Sequence, residues 1–260
     1  TSLTTRLTPV MAGVRCWSLF HKEKTMLEQM LAGGKSLYGA TNTPWGEIPG
    51  PASVIAGDST YGFYGEVEQI PAPSPSQDFY VLTQSTSLGL PLFPGSPWLK
   101  FVLDGMILFF PKQPFRYSMS WDQLNTLQLV LGDKIISWNG CLYKVRLFKG
   151  ANTDPTNNVQ SNSPAGSSNS EWQRLMYRIH QSHPTGGVAW ANYNDIALHV
   201  NASVSPSTGK ATWCQETSAA NGGNAVHRGF NGVAHFNYNA KNSNAATMNW
   251  RPILEYIGPA

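Results

Sequence analysis

Charge is scarce in this sequence of 260 residues. Asp, Glu, Lys and Arg together make up 13% of it, about half the share usual in soluble domains, and the net charge is only +3. No run of basic side chains tracks a phosphate backbone, so nucleic acid is not an expected partner. Long apolar runs are missing too. The longest is MILFF at residues 106–110, far short of the ~20 residues a membrane-spanning helix needs, and no membrane insertion is expected. The opening residues, TSLTTRLTPVMAGVRCW, lack the apolar stretch of a signal peptide. Cys16, Cys141 and Cys214 are odd in number and far apart, which argues against a disulfide framework or a zinc knuckle and for reduced thiols in or near the core.

Acids are thin where histidines gather. Asp195 and Glu216 are the only carboxylates between Glu171 and Glu255, a stretch that holds His180, His183, His199, His227 and His235. A metal site wants carboxylates or cysteines at ligand spacing, and paired-carboxylate catalysis wants a dyad. Neither pattern is offered, and no Gly-x-Ser-x-Gly elbow marks a nucleophile. His180 is expected at a helix C-terminus, where the dipole favours it. Gly33-Gly34-Lys35-Ser36 lacks the glycine that a P-loop places five residues before Gly34, where Gln29 stands. The chain therefore reads as non-enzymatic, with no cofactor and no metal.

What is abundant points to a loop-rich folded protein: 41% hydrophobic residues, nine Trp, 24 Gly and 18 Pro, in a chain long enough to bury a core without staples. Residues 1–40 carry one expected helix, with Met26, Leu27, Met30 and Leu31 as its apolar stripe and Gly33-Gly34 as its stop. Residues 41–97 read as extended chain and loops, including the spacer-like run Pro71-Ala72-Pro73-Ser74-Pro75. Such a segment buries little by itself and is expected to lie against other chains.

From Trp98 the texture changes. Two strands flank the turn Asp104-Gly105, and two more flank Asn139-Gly140. A helix is expected over 120–131, with Ser120 and Gln123 at capping-box spacing, Leu124, Leu127 and Leu131 on one face, and Gly132 at its end. Ser170 and Gln173 repeat that spacing before a second amphipathic helix marked by Trp172, Leu175, Met176 and Ile179. Short strands follow near 197–200, 211–216, 226–229 and 251–257. The pattern is that of an α+β domain over residues 96–260, preceded by an extended, loop-rich anchor segment over 1–95.

The tail has its own character. Eight of the 19 Asn residues fall between 221 and 249, interleaved with Phe230, His235, Phe236 and Tyr238. Amides donate and accept, and aromatic rings give rigid contact area, as on a sugar-binding surface or a paratope. Phe230, Asn231, His235, Asn237, Tyr238, Asn239, Asn242 and Asn244 are the candidate ligand-binding residues. Against this stands the plainer reading that Asn here merely satisfies turns.

Trp190-Ala191-Asn192-Tyr193, Trp213-Cys214-Gln215-Glu216-Thr217, Val226-His227-Arg228-Gly229 and Asn249-Trp250-Arg251-Pro252-Ile253-Leu254-Glu255 resemble segments of structural proteins of tailed-phage virions. The Arg-Gly and Trp-Arg-Pro elements are also similar to the C-type-lectin-like domains related to formylglycine-generating enzymes. That resemblance implies a C-type-lectin-like domain in which Trp190, Trp213, Arg228, Gly229, Trp250 and Arg251 define the fold, with Arg251 a buried, hydrogen-bonded guanidinium. Asn249 stands where the family usually has Gly, and the catalytic cysteine pair of the enzymes has no counterpart. The Asn cluster also resembles the hypervariable segment of some phage receptor-binding proteins. The resemblance implies a virion location, contacts with other virion proteins through the N-terminal segment, a homo-oligomer, most simply a trimer, and a host surface glycan or protein as ligand. A purely structural decoration or adaptor subunit is the alternative; an oxygen- or thiol-dependent enzyme on the same fold, working through Cys214, is a third.

Overall fold

The computed structural model describes residues 48–67, 88–138, 140–162, 169–183 and 188–260. The expected helix near residues 26–31, Cys16 and the proline run at 71–75 lie outside them. Within them the chain is mixed and sheet-rich, with few helices. Thirteen strands appear in chain order: β1 (Ala56–Gly57), β2 (Tyr61–Val67), β3 (Leu90–Pro91), β4 (Trp98–Leu103), β5 (Met106–Pro111), β6 (Arg116–Tyr117), β7 (Leu131–Trp138), β8 (Cys141–Arg146), β9 (Ala211–Thr217), β10 (Asn224–Arg228), β11 (Phe236–Ala240), β12 (Met248–Trp250) and β13 (Ile253–Pro259). The helical pieces are α1 (Trp121–Thr126), a π-helical segment (Gln173–Tyr177) and α2 (Asp195–Leu198).

The strands form two sheets. One has seven strands in the order β1-β2-β4-β5-β13-β8-β7; the other has six, β11-β10-β9-β12-β6-β3. The seven-stranded sheet is built from two hairpins. Asp104 and Gly105 both take positive φ (52° and 80°), as a two-residue turn matched to strand twist requires, and Leu103 pairs with Met106. Trp138 pairs with Cys141 in the second hairpin. The last strand, β13, then enters between them, pairing antiparallel with β5 and with β8.

β2 corrects the expected division at residue 95/96. Tyr61–Val67 pairs along its length with β4, and Phe63, Tyr64 and Val67 are buried, so this segment lies against its own chain and belongs to the same sheet. β3 likewise pairs with β6. The apolar side chains of 61–67 complete the face that β4 leaves open, which a loop-rich spacer would not do.

Both faces of the long sheet are covered, so β4 and β5 run almost continuously apolar. Alternate residues supply two core clusters. Trp98, Ile107, Phe109, Tyr143, Val145 and Leu254 join Trp213, Met248 and Trp250 of the smaller sheet and Trp121 and Leu124 of α1. Leu99, Phe101, Leu108, Phe110 and Ile253 join Cys214, Val226 and Phe236, closed by Trp172, Leu175, Met176 and Tyr177. Cys141 and Cys214 are free, buried thiols.

The first helix is shorter than its leucine spacing predicts. Ser120 and Gln123 form the capping box in both directions, but the helix ends after Thr126, Gln128 takes φ 62°, and Leu131 opens β7 with its side chain exposed. Pairing with β8 outweighs a third helical leucine. The second helix starts as expected, with the Gln173 N–H donating to Ser170 Oγ, and widens to π geometry over Gln173–Tyr177. The strand expected at 197–200 is instead the short helix α2, capped by Asn194 and stopped by His199 in the left-handed region.

Arg146 of β8 joins these parts. It makes a two-point pair with Glu171 (2.9 and 2.8 Å) and a further bond to Glu255 of β13 (2.8 Å), with its own side chain and that of Glu171 buried. Arg146→Met leaves two carboxylates without their cation and is expected to cost about 3–5 kcal/mol of stability. Urea unfolding followed by tryptophan fluorescence measures it, and a loss below about 1 kcal/mol would show the pair to be a surface-type contact.

Candidate functional site

The Asn-rich tail surrounds β11, an edge strand of the smaller sheet. The structure divides seven of the eight candidate residues among three settings, and buries the eighth, His235. Phe230, half-buried, and Asn231, exposed, sit in the turn before β11. Asn237, Tyr238 and Asn239 are in the strand, and Asn242 and Asn244 are exposed in the turn after it. The five-residue strand is roughly 14 Å long at ~3.4 Å per residue. The exposed candidates therefore lie in two surface patches, one at each end of the strand.

Within the strand the amides do a structural job. Phe236 exchanges both backbone bonds with Ser161 (2.8 and 3.0 Å), so the backbone groups of Phe236, Tyr238 and Ala240 point away from β10. The Tyr238 N–H donates to Asn237 Oδ1 (2.8 Å) and the Ala240 N–H to Asn239 Oδ1 (2.9 Å). Two outward donors of the edge are thus capped by the side chain of the preceding residue. Asn239 Nδ2 also donates to Ser243 Oγ (3.4 Å). Tyr238 is committed as well, its hydroxyl bonding the carbonyls of Thr156 and Asn158 (3.1 and 2.7 Å). It anchors the loop beside the edge through its hydroxyl, while its ring stays half-buried.

His235 is 1% exposed, which corrects its expected place on a binding surface. Its ring lies 5.6 Å from that of His227 and 5.9 Å from Phe230. Neither ring nitrogen of His235, nor Nδ1 of His227, has a hydrogen-bond partner. Desolvation, helped by the nearby Arg228 charge, holds His235 down to about 4; desolvation, then His235 and Arg228, holds His227 down to about 3. His199 is also held down to about 4, first by desolvation and then by the charges of Lys210 and Arg251. Glu216 runs the other way, pushed up to about 8 by desolvation although the backbone N–H groups of Gly150 and Ala151 favour its charged form.

The expected fold-defining residues are core, with one exception. Trp213, Arg228, Trp250 and Arg251 are fully buried, and Gly229 takes φ 90°. Arg228 donates to the Gly150 carbonyl and the Tyr177 hydroxyl. Arg251 donates to the carbonyls of Lys112 and Leu198. Asn249 is buried too, with Nδ2 bonded to the Gly209 carbonyl (2.8 Å). The exception is Trp190, half-buried at the surface. It lies over Gly57, whose φ of 86° favours glycine and where a Cβ would come within 3.0 Å of the indole.

Trp190 belongs to a cluster that sequence reasoning missed. Its ring is 4.5 Å from that of Tyr61 at 58°, and the guanidinium groups of Arg174 and Arg178 approach the same rings. The one available signal was Arg174 and Arg178 four apart on an expected helix, which puts both on one face. Beside this cluster Lys112 bridges Glu66 (2.7 Å) and the Tyr193 ring (4.8 Å).

Reactive chemistry finds little purchase among the described residues. No group of three or more His, Cys, Asp or Glu is arranged to hold a metal ion. Burial pushes the Cys214 thiol well up, away from the reactive thiolate. His180, expected to answer a helix dipole, is buried and bonded to Asp195 Oδ1 (3.1 Å) and Ser182 Oγ (2.7 Å). No protein family, no curated protein and no solved structure matches the chain.

Two expectations follow. The three histidines are neutral when folded and bind protons near 6.5 when unfolded, so their stability contribution falls as the pH drops below 6.5. Glu216 is protonated when folded and gains as the pH falls from 8 towards 4.5. From pH 7 to 5 the loss at three histidines outweighs the gain at one carboxyl, a net loss on the order of a few kcal/mol. Urea midpoints at the two pH values check this; a flat profile would mean the rings are not held neutral. Second, Asn237→Ala with Asn239→Ala uncaps the edge and is expected to raise self-association in sedimentation velocity while the far-ultraviolet spectrum stays unchanged. An unaltered distribution of sedimenting species would refute the capping role.

Proposed function

We propose that this chain is a non-enzymatic structural protein of a tailed-phage virion, with a C-type-lectin-like C-terminal domain that binds host cell-surface glycan or protein. The burial of Arg228, Trp250 and Arg251 and the left-handed Gly229 support the lectin-like part of the reading, since those are the residues on which the resemblance rests. Attachment to neighbouring virion subunits falls to residues ahead of β1, and several copies, a trimer in the simplest case, would present the binding surface together.

The observation that carries the binding reading is a rigid frame with amide-bearing turns at both ends of β11. The 241–247 turn is tied to the frame. The Lys241 N–H donates to the Gly223 carbonyl, the Asp122 N–H donates to the Lys241 carbonyl, and Lys241 Nζ lies 4.6 Å over the Trp121 ring. Asn242 and Asn244 are left exposed on it, beside the exposed Asn221. Fixed amides pair with hydroxyl groups at low ordering cost, and many weak sites in one particle give useful adhesion. Loops on rigid scaffolds are where recognition concentrates.

A purely structural decoration or adaptor subunit is the second reading, favoured by one observation. β7 is an open sheet edge with Leu131 and Ile135 more than half exposed, the kind of surface that neighbouring subunits cover. Full-length protein displayed in many copies on beads separates the two. Saturable binding to host cells, reduced at least tenfold by Asn231→Ala, Asn242→Ala and Asn244→Ala together with an unchanged melting temperature, is the expected result. No cell binding by the folded multivalent probe would overturn the adhesin reading in favour of the structural subunit.

A further inference from the structure

Arg174 and Arg178 stand one helical turn apart and meet different fates. Arg174 forms a two-point pair with Asp104, 2.7 Å on each arm. Both carboxylate oxygens are taken, so the charge is balanced. Among the described residues Arg178 faces no carboxylate. Its guanidinium lies 5.1 Å from the Trp190 ring centroid and 5.8 Å from that of Tyr61. Its Nε donates to the Tyr61 hydroxyl (3.3 Å), and one terminal nitrogen is 3.4 Å from His183 Nε2.

Aromatic faces attract a cation through their quadrupole, but they carry no formal charge to neutralise it. The Tyr61 hydroxyl is spent on the Arg174 carbonyl (2.6 Å), which fixes the ring that fixes Arg178. A planar guanidinium is thus held in one pose, half-buried, with its charge unbalanced and an apolar wall beside it. A fork held in that way accepts a planar oxyanion at two points without first losing side-chain freedom. Sugar rings present apolar faces that pack on aromatic side chains, here the half-buried Trp190 and Tyr61.

We infer that Arg178, walled by Trp190 and Tyr61, is a binding site for the carboxylate of an acidic sugar in an anionic polysaccharide. The site does not depend on the amide-bearing turns around β11, and the two stand or fall separately.

The test uses the full chain over immobilised polygalacturonate and over neutral dextran, read by surface plasmon resonance. Saturable binding to polygalacturonate alone is expected. Arg178→Gln should weaken it at least tenfold, and Arg178→Lys nearly as much, because lysine keeps the charge and loses the flat two-point fork. Free glucuronate should compete better than inorganic phosphate at equal concentration. Asn242→Ala with Asn244→Ala should leave the signal unchanged, and melting temperatures show that each variant is folded. Equal binding to both surfaces, full retention by a folded Arg178→Gln, or lysine performing as well as arginine would each overturn the assignment. Stronger competition by phosphate would overturn the acidic-sugar part of it.

Discussion

Arg146 stands between Glu171 and Glu255 where water hardly reaches, and its three bonds to carboxylates tie β8 to β13 and to the start of the second helical stretch. Taking these charges out of water is expensive, and their attraction repays it only with good geometry. The consequence is directional. The helical residues that follow Glu171 are held against the long sheet in one register, which puts Trp172, Leu175, Met176 and Tyr177 into the core and leaves Arg174 and Arg178 on the outer face. The lysine beside this frame follows the same logic at lower stakes: Lys100, buried on β4, donates to the Pro51 carbonyl and is held down to about 8 by desolvation.

Three other arginines fasten what the sheets do not reach. Arg116, Arg228 and Arg251 are each fully buried, and their recorded bonds go mainly to backbone carbonyls: Leu88 and Gly89, Gly150, then Lys112 and Leu198. The carbonyls of Leu88, Gly89, Gly150 and Lys112 lie in loops or just past strands, and that of Leu198 closes α2. A guanidinium with five donors serves such carbonyls from one point. The chain is low in charge, yet it spends several of its cations inside, as rivets between irregular segments.

Local grammar was legible in the sequence and long-range pairing was not. Asp104-Gly105, the hairpin ending in Trp138 and Cys141, and the Ser120–Gln123 box depend on neighbours within a few residues, and all appear where spacing predicts. β2 was missed because YGFYGEV carries two glycines and a charge, and only its pairing with β4 makes it a strand. Leu131 fitted a helical stripe until β8 claimed it. The Asn cluster was visible, but the sequence does not show that Asn237 and Asn239 sit on an edge, where an amide oxygen is worth more to a neighbouring N–H than to a ligand. Trp190 and Tyr61 are 129 positions apart, and nothing local brings them to the same arginine.

β13 fills the gap between β5 and β8. Both hairpins of the long sheet precede β13 in the chain, and their pairings are local while those of β13 are long-range. Until residues 253–259 pair, β5 and β8 each keep an unpaired flank, the state in which strands find wrong partners. Completion of the sheet therefore waits on the strand that stands last among its members in chain order.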